Sequence, residues 1–268
     1  MWRSLLSGSE FTSTAVQEPK GARSAVLVIA ATDSSGGAGL TRDVRVLTDF
    51  SVGAVCAVTA VTAQSDSQVS TVHHVPPAVI RAQIAAAFAT RRVAAIKIGM
   101  LGTRATVETV VESLPPREAV PIVLDPVLVA SSGGVLLDAQ GRAVMLERLF
   151  PRVTILTPNV PEAASLLHEA PATNESALIR QAQRLLALGP QAVLLKGGHS
   201  DGDEAVDLLI CENDVVQRIP AARVRATSRG TGCALASAIA AGLASGAPLL
   251  EACQQAKRYV VDMLYRAN

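Results

Sequence analysis

Short, unbroken apolar runs alternate along this chain with segments whose apolar residues recur at helical spacing. Residues 26–30 (Val-Leu-Val-Ile-Ala) read as a buried strand. Residues 38–50 place Leu40, Val44 and Leu47 on one face and predict a helix. The β-branched run 54–63 predicts one strand. Residues 77–90 predict a helix with proline at its start, where a missing N–H costs little. The pattern continues with a strand over 94–98, a helix over 103–114, strands over 122–124 and 154–156, a helix over 175–188 and a strand over 192–195. Residues 205–211 and 215–219 read as a hairpin about Glu212-Asn213-Asp214, and helices over 232–244 and 249–264 close the chain.

The strands are apolar throughout instead of alternating, which marks a sheet covered on both faces. Their alternation with helices makes that sheet mostly parallel. Residues 24–268 therefore form one three-layer α/β/α domain, with its ligand site expected at the carboxyl ends of the strands. Residues 1–23 are polar and mixed and read as a mobile tail; they lack the apolar core of a secretory signal, and Glu10 and Glu18 weigh against an organelle presequence.

Composition narrows the function classes. Hydrophobic residues make up 49% of the 268 and charged residues 18%, which supports a large core and excludes global disorder. Aromatics are only 3%, too few for a stacking surface for single-stranded nucleic acid. A net charge of +1 gives no electrostatic reason to expect nucleic acid or anionic lipid as a partner. Cys56, Cys211, Cys233 and Cys253 are scattered, with no C-x-x-C pair, so reduced thiols in a cytoplasmic protein are expected. No apolar run is long enough for a membrane span.

Polar or glycine-rich loops follow most of the strands. In Gly230-Thr231-Gly232-Cys233 a glycine turn opens straight into a helix. The unpaired first N–H groups and the dipole of such a helix make an anion site. Cys233 falls in the first turn, where a thiol ionises most easily. The plainer reading is a glycine turn with a small packed cysteine. Lys196 ends an apolar strand, and a lysine is costly to bury without an anion. Asn159 and Glu162 have the spacing of a helix capping box, the reading they favour in isolation. Gly36, Gly37 and Gly39 fit a tight turn as well as a ligand loop, Asp125 fits a turn cap, and His73 and His74 read as loop residues. Leu235 stands where a dinucleotide fingerprint needs its third glycine, and G-x-x-x-x-G-K-[ST] does not occur.

Taken in order, Asp33-Ser-Ser-Gly-Gly-Ala-Gly39, Thr59-Ala-Val-Thr-Ala-Gln64, Lys97-Ile-Gly-Met-Leu101, Leu124-Asp-Pro-Val127, Thr157-Pro-Asn-Val-Pro-Glu-Ala163, Lys196-Gly-Gly-His199 and Gly230-Thr-Gly-Cys233 carry a resemblance. Over residues 25–265 the chain resembles the hydroxymethylpyrimidine and phosphomethylpyrimidine kinases of thiamine biosynthesis, within the ribokinase-like superfamily. The resemblance implies a ribokinase-like fold and ATP-dependent, Mg²⁺-assisted phosphorylation of 4-amino-5-hydroxymethyl-2-methylpyrimidine and then of its monophosphate. It implies a pyrimidine contact at Gln64, pocket walls at Gly39, Met100 and Val127, and an acidic position of unassigned role at Asp43, grouped with the substrate site. It places Lys196, Asn159, Thr231 and Arg229 at the nucleotide, and Asp125, Asn159 and Glu162 at the metal. It makes Gly230, Thr231 and Gly232 an anion hole that works with Lys196, and Cys233 the base. A homodimer is compatible with it.

Two departures bear on substrate preference. Arg229 stands where close relatives usually have histidine, and Ala31-Thr32-Asp33 where Gly-Ser-Asp is common. Ser131-Ser132-Gly133-Gly134 resembles a mobile flap over 130–136 without the lysine some relatives carry. A pyridoxal or pyridoxine kinase remains the nearest alternative, because a hydroxymethyl-bearing pyridine has a similar shape. A non-catalytic pyrimidine sensor has no need of Lys196, the N-x-x-E pair or the anion hole.

Overall fold

The computed structural model describes residues 24–65, 68–130, 133–197, 203–211, 215–224 and 228–267. The tail 1–23, Ser131, Ser132, His199 and the turn 212–214 lie outside them.

Eight strands form the central sheet. They are β1 (Ala25–Ala30), β2 (Gly53–Val58), β5 (Val93–Ile98), β6 (Ile122–Leu124), β7 (Ile155–Leu156), β8 (Ala192–Leu195), β9 (Glu204–Cys211) and β10 (Val216–Ala222), in the order β10-β9-β8-β7-β6-β5-β1-β2. A separate two-stranded ribbon holds β3 (Ala60–Gln64) and β4 (Val69–His74). From β2 across to β8 the strands of the main sheet run parallel, and the β9–β10 hairpin joins β8 antiparallel. From β1 the chain first lays β2 on one side and later β5 to β8 on the other. The order therefore reverses between β1 and β5, where open α/β sheets place their ligands.

Successive side chains of a strand point to opposite faces, so each face of the sheet carries its own core. Leu27 and Ile29 of β1 pack with α2 (Pro77–Thr90), α3 (Arg104–Ser113), α4 (Ala139–Val144), α5 (Val160–Leu167) and α6 (Glu175–Leu186). Val26, Val28 and Ala30 pack with α1 (Gly39–Asp49), α7 (Thr231–Ala244) and α8 (Leu249–Arg266). This is the expected three-layer α/β/α architecture with a mostly parallel sheet. Helix α7 is rich in alanine and largely buried, so short side chains bring its backbone close to the sheet.

Several local expectations are corrected. The run 54–63 is two strands, not one: Thr59 breaks the ladder, its N–H donating to Ala30 O and its carbonyl accepting from Val75, and the chain leaves the main sheet for the ribbon. His73 and His74 lie in β4, paired with Val61 and Ala60, instead of in a loop. On α1 the buried face carries Leu40, Asp43, Val46 and Leu47, while Val44 is exposed. Helix α4 was not anticipated; it continues through a π turn (Met145–Leu149) and a 3₁₀ turn (Phe150–Arg152), which blur its periodicity. Among the described residues no helix is long and apolar enough to cross a membrane.

Candidate active site

An open cleft of about 1360 Å³ lies over the carboxyl ends of the parallel strands. The loop after β1 forms one wall. Asp33 organises it: its carboxylate accepts from the Ser35 N–H (2.9 Å), the Ser35 hydroxyl (2.8 Å) and the Ala38 N–H (2.8 Å). Burial alone would raise the Asp33 carboxyl. The Ser35 hydrogen bonds, the Arg229 guanidinium and the Gln64 side chain outweigh it and hold the group below the usual aspartate value. Gln64 ends β3 and exchanges hydrogen bonds of 2.9 Å between its backbone and the Ser34 hydroxyl. Met100 follows β5, its carbonyl fixed by the Thr59 hydroxyl at 2.6 Å. Gly39, Gln64, Met100 and Val127 all line the cleft.

The opposite wall is the glycine turn. Gly230 caps α7 in the left-handed region at φ +75°, and a Cβ there would lie 2.3 Å from the Gly37 carbonyl oxygen. Only glycine lets the two loops meet so closely. The turn leaves the first N–H groups of α7 at the cleft, at the positive end of the helix dipole. A Cβ at Gly232 would lie 3.1 Å from Lys196 Nζ, so the ammonium sits against the first turn of α7.

Lys196 follows β8, and its Nζ lies 3.2 Å from Asp125 and 3.8 Å from Glu162. Burial would lower the lysine, but the two carboxylates outweigh it and raise its pKa. Burial raises Glu162, reinforced by Asp125 and opposed by Lys196 and the Asn159 N–H. Asn159 and Glu162 form a complete capping box on α5: Asn159 Oδ1 accepts from the Glu162 N–H at 2.7 Å, and Glu162 Oε2 accepts from the Asn159 N–H at 2.8 Å. The capping role and a site role thus coexist. The Asn159 oxygen is spent on the helix start, and its effect is to aim Glu162 at Lys196.

Among the expected site residues, Gly39, Gln64, Met100, Asp125, Val127, Asn159, Glu162, Lys196, Arg229, Gly230, Thr231, Gly232 and Cys233 share this cleft. Three expectations change in character. Asp43 does not face it: the residue is fully buried behind the wall, bound to Lys97 and Ser237, each at 2.8 Å. The Arg229 guanidinium is turned to the loop after β1 and the end of β3, 3.0 Å from Ser35 Oγ, 2.8 Å from the Ser65 carbonyl and 3.4 Å from Asp33. Cys233 does not have an eased ionisation: burial pushes its thiol up to about 11, against the lowering pull of Lys97 and the Gly39 N–H. The helix N-terminus cannot offset the loss of water around the sulfur. At the flap segment, Val129 just before it bridges Val135, and the Ala130 N–H donates to Gly134 O at 2.8 Å.

Lys97 carried no role in the sequence reading. It had a signal: a lysine inside the apolar strand Val93–Ile98, and an aspartate on the apolar stripe of α1. Opposite charges on two buried faces must meet or go unpaired.

The phosphomethylpyrimidine kinase family model matches residues 33–268. A hydroxymethylpyrimidine/phosphomethylpyrimidine kinase of Rhizobium meliloti (strain 1021) is 41% identical over 235 residues, covering 87% of this chain and 88% of that protein. The crystal structure of phosphomethylpyrimidine kinase from Clostridium difficile 630 superposes with a TM-score of 0.78 at 33% identity, over 90% of this chain and 99% of that one. The pyridoxal kinase of Staphylococcus aureus in complex with AMP-PCP gives 0.82 at 30% identity, over 91% and 89%. With its glycine turn, buried lysine and capped glutamate gathered over one parallel sheet, the chain belongs to the phosphomethylpyrimidine kinase family.

Proposed function

We propose that this kinase transfers the γ-phosphoryl group of ATP to the hydroxymethyl group of 4-amino-5-hydroxymethyl-2-methylpyrimidine, and then a second one to the resulting monophosphate, in thiamine biosynthesis. The observation that carries the reading is a single cleft with an anion cradle at Gly230–Cys233, Lys196 against it, and Gln64, Met100 and Val127 on the acceptor side. Phosphoryl transfer asks the protein for alignment and charge neutralisation more than for covalent chemistry. The N–H groups of the glycine turn hold the γ-phosphoryl oxygens as charge shifts onto them, and Lys196 neutralises the bridging phosphates. As the acceptor oxygen bonds to phosphorus, the bond to the leaving ADP oxygen breaks, and the hydroxyl proton passes to Cys233 Sγ when that sulfur is present as the thiolate.

Mg²⁺ fits the other side of the cleft. Asp125 is a buried carboxylate and Glu162 a partly buried one beside Lys196, and Glu162 Oε1 has no hydrogen-bond partner among the described residues. No group of three or more His, Cys, Asp or Glu among the described residues is placed to hold a metal ion. Two carboxylates suit an ion that keeps waters and takes substrate phosphates as ligands. When bound, Mg²⁺ would supply charge neutralisation across the β- and γ-phosphates.

The Staphylococcus aureus likeness favours pyridoxal as the competing acceptor. ADP release by the purified protein with Mg-ATP separates the readings when hydroxymethylpyrimidine, its monophosphate and pyridoxal are supplied in turn. Release with both pyrimidines, and a kcat/KM at least about tenfold lower with pyridoxal, is expected. Release with pyridoxal alone supports the second reading, and no release with any acceptor removes the kinase reading.

A further inference from the structure

Behind the glycine turn lies a buried ionic centre that the transfer chemistry above does not use. Lys97, at the carboxyl end of β5, is fully buried, and its ammonium donates to Asp43 Oδ2 at 2.8 Å. The other oxygen of Asp43 accepts from the Ser237 hydroxyl, also at 2.8 Å. Asp43 sits one turn into α1, whose first residue is Gly39, and Ser237 sits one turn beyond Cys233 on α7. Three elements therefore meet at one carboxylate: the helix that starts at the acceptor loop, the helix that starts at the anion cradle, and the strand that leads to Met100.

We propose that Lys97, with Asp43 and Ser237, is the positioning centre of the phosphoryl-transfer site: it ties the starts of α1 and α7 to β5 and holds a cation beneath Cys233. Lys97 lies at the floor of the cleft but is fully buried, and its assigned action is through Cys233 and the cradle.

The cost of the arrangement argues for a role beyond packing. Two charges taken out of water are repaid only by close geometry and full hydrogen bonding, and apolar residues of similar volume usually serve a core as well or better. Here both carboxylate oxygens are engaged and the pair is placed under the reacting residues. Burial would lower the ammonium, yet the charge and hydrogen bond of Asp43, with Asp125, outweigh it and raise its pKa. The charged groups that face Cys233 are Lys97 from β5, Asp43 from α1, Asp125 after β6 and Lys196 after β8. Lys97 is the largest influence favouring the thiolate, and Asp43 opposes it more weakly.

The inference rests on the kinase reading for its role in catalysis but not for its test at Cys233. Lys97→Met combined with Asp43→Asn removes both charges together, so no unpaired charge is left in the core, and the introduced amide can still meet Ser237. The expected result, per mole of folded enzyme, is a kcat about 50-fold lower with KM for ATP and for the pyrimidine within about threefold. In the ligand-free protein, iodoacetamide should alkylate Cys233 at least about threefold more slowly at pH 8.5, read by peptide mass spectrometry and normalised to cysteine-free peptides of the same digest. Ser237→Ala keeps the ion pair and removes only the tie to α7; kcat should fall about fivefold at unchanged KM. A double variant with wild-type kcat and wild-type Cys233 alkylation, or one that raises KM alone, overturns the proposal. Should the double variant fail to fold, Ser237→Ala decides: a kcat within about twofold of wild type overturns it. The alkylation readout needs no turnover, so it separates failure of this inference from failure of the kinase reading, which shows as no ADP release by the wild-type protein.

Discussion

Cys233 carries its thiol at the start of α7, with Lys97 and the Gly39 N–H favouring the thiolate and burial opposing it; the outcome, about 11, leaves it protonated near neutral pH. A protonated thiol cannot take the acceptor proton before the transfer begins. It takes it only as the thiolate, once its own proton has left and the charge of Lys97 and of the bound substrates favours the ionised form. This has a consequence that distinguishes the two transfers. The alcohol acceptor must lose a proton, whereas a phosphate monoester, with its second pKa near 6, is already largely dianionic at about pH 7.5. Cys233→Ala should therefore lower kcat about 100-fold with hydroxymethylpyrimidine and less than about tenfold with its monophosphate, with acceptor KM changed little in both cases. Steady-state rates on the two acceptors check this. Equal losses on both acceptors would assign Cys233 to cradle geometry, and a raised KM with unchanged kcat would assign it to packing.

At the scale of elements, the anion cradle belongs to the turn before α7 more than to any side chain. Gly230 and Gly246 offer a matched comparison, because they flank the same helix at φ +75° and +84°. Alanine at either position incurs left-handed strain of about 1–2 kcal/mol. Only at Gly230 would the added Cβ strike a neighbour, the Gly37 carbonyl; at Gly246 nothing lies within 4 Å. Gly230→Ala should lower kcat/KM for ATP by about 100-fold or more, while Gly246→Ala should leave it within about twofold and shift only the melting temperature. Comparable kinetic losses in the two variants would mean that the helix as a whole, not the turn, carries the effect. The turn was legible in the sequence because glycines next to a helix-forming run are a local signal. The same holds for the capping box of α5 and for the apolar strands. What escaped reading is what depends on distant partners. Thr59 looks like any other residue of a β-branched run, yet Ala30 and Val75 take its backbone and split the run between two sheets. Lys97 lies 54 residues from Asp43, and Ser237 lies 194 residues from it, so no window of sequence contains the centre they form.

At the scale of the whole molecule, burying thiols couples the fold to alkaline pH. Burial pushes Cys233 from 9.0 to about 11 and Cys253, fully buried against α7, from 9.0 to about 12. The folded state keeps both protons above pH 9, where the unfolded chain releases them. The unfolded state then binds fewer protons, so stability is complete below about pH 9 and is lost as pH rises toward the folded values. Each thiol contributes a slope of about 1.4 kcal/mol per pH unit in that window. Cys253 is the cleaner probe, since it lies on α8, away from the cleft, and the Ala252 and Ala256 beside it show that small side chains are accommodated on that face. Cys253→Ala removes one titrating group. Urea midpoints of the wild type and this variant, measured between about pH 8 and 10.5, should converge as pH rises, with the wild type losing about 1.4 kcal/mol more per unit than the variant above about pH 9.5. Parallel curves across that range would show that Cys253 gives up its proton as readily in the fold as in the unfolded chain, and that the alkaline limit of this molecule is set elsewhere.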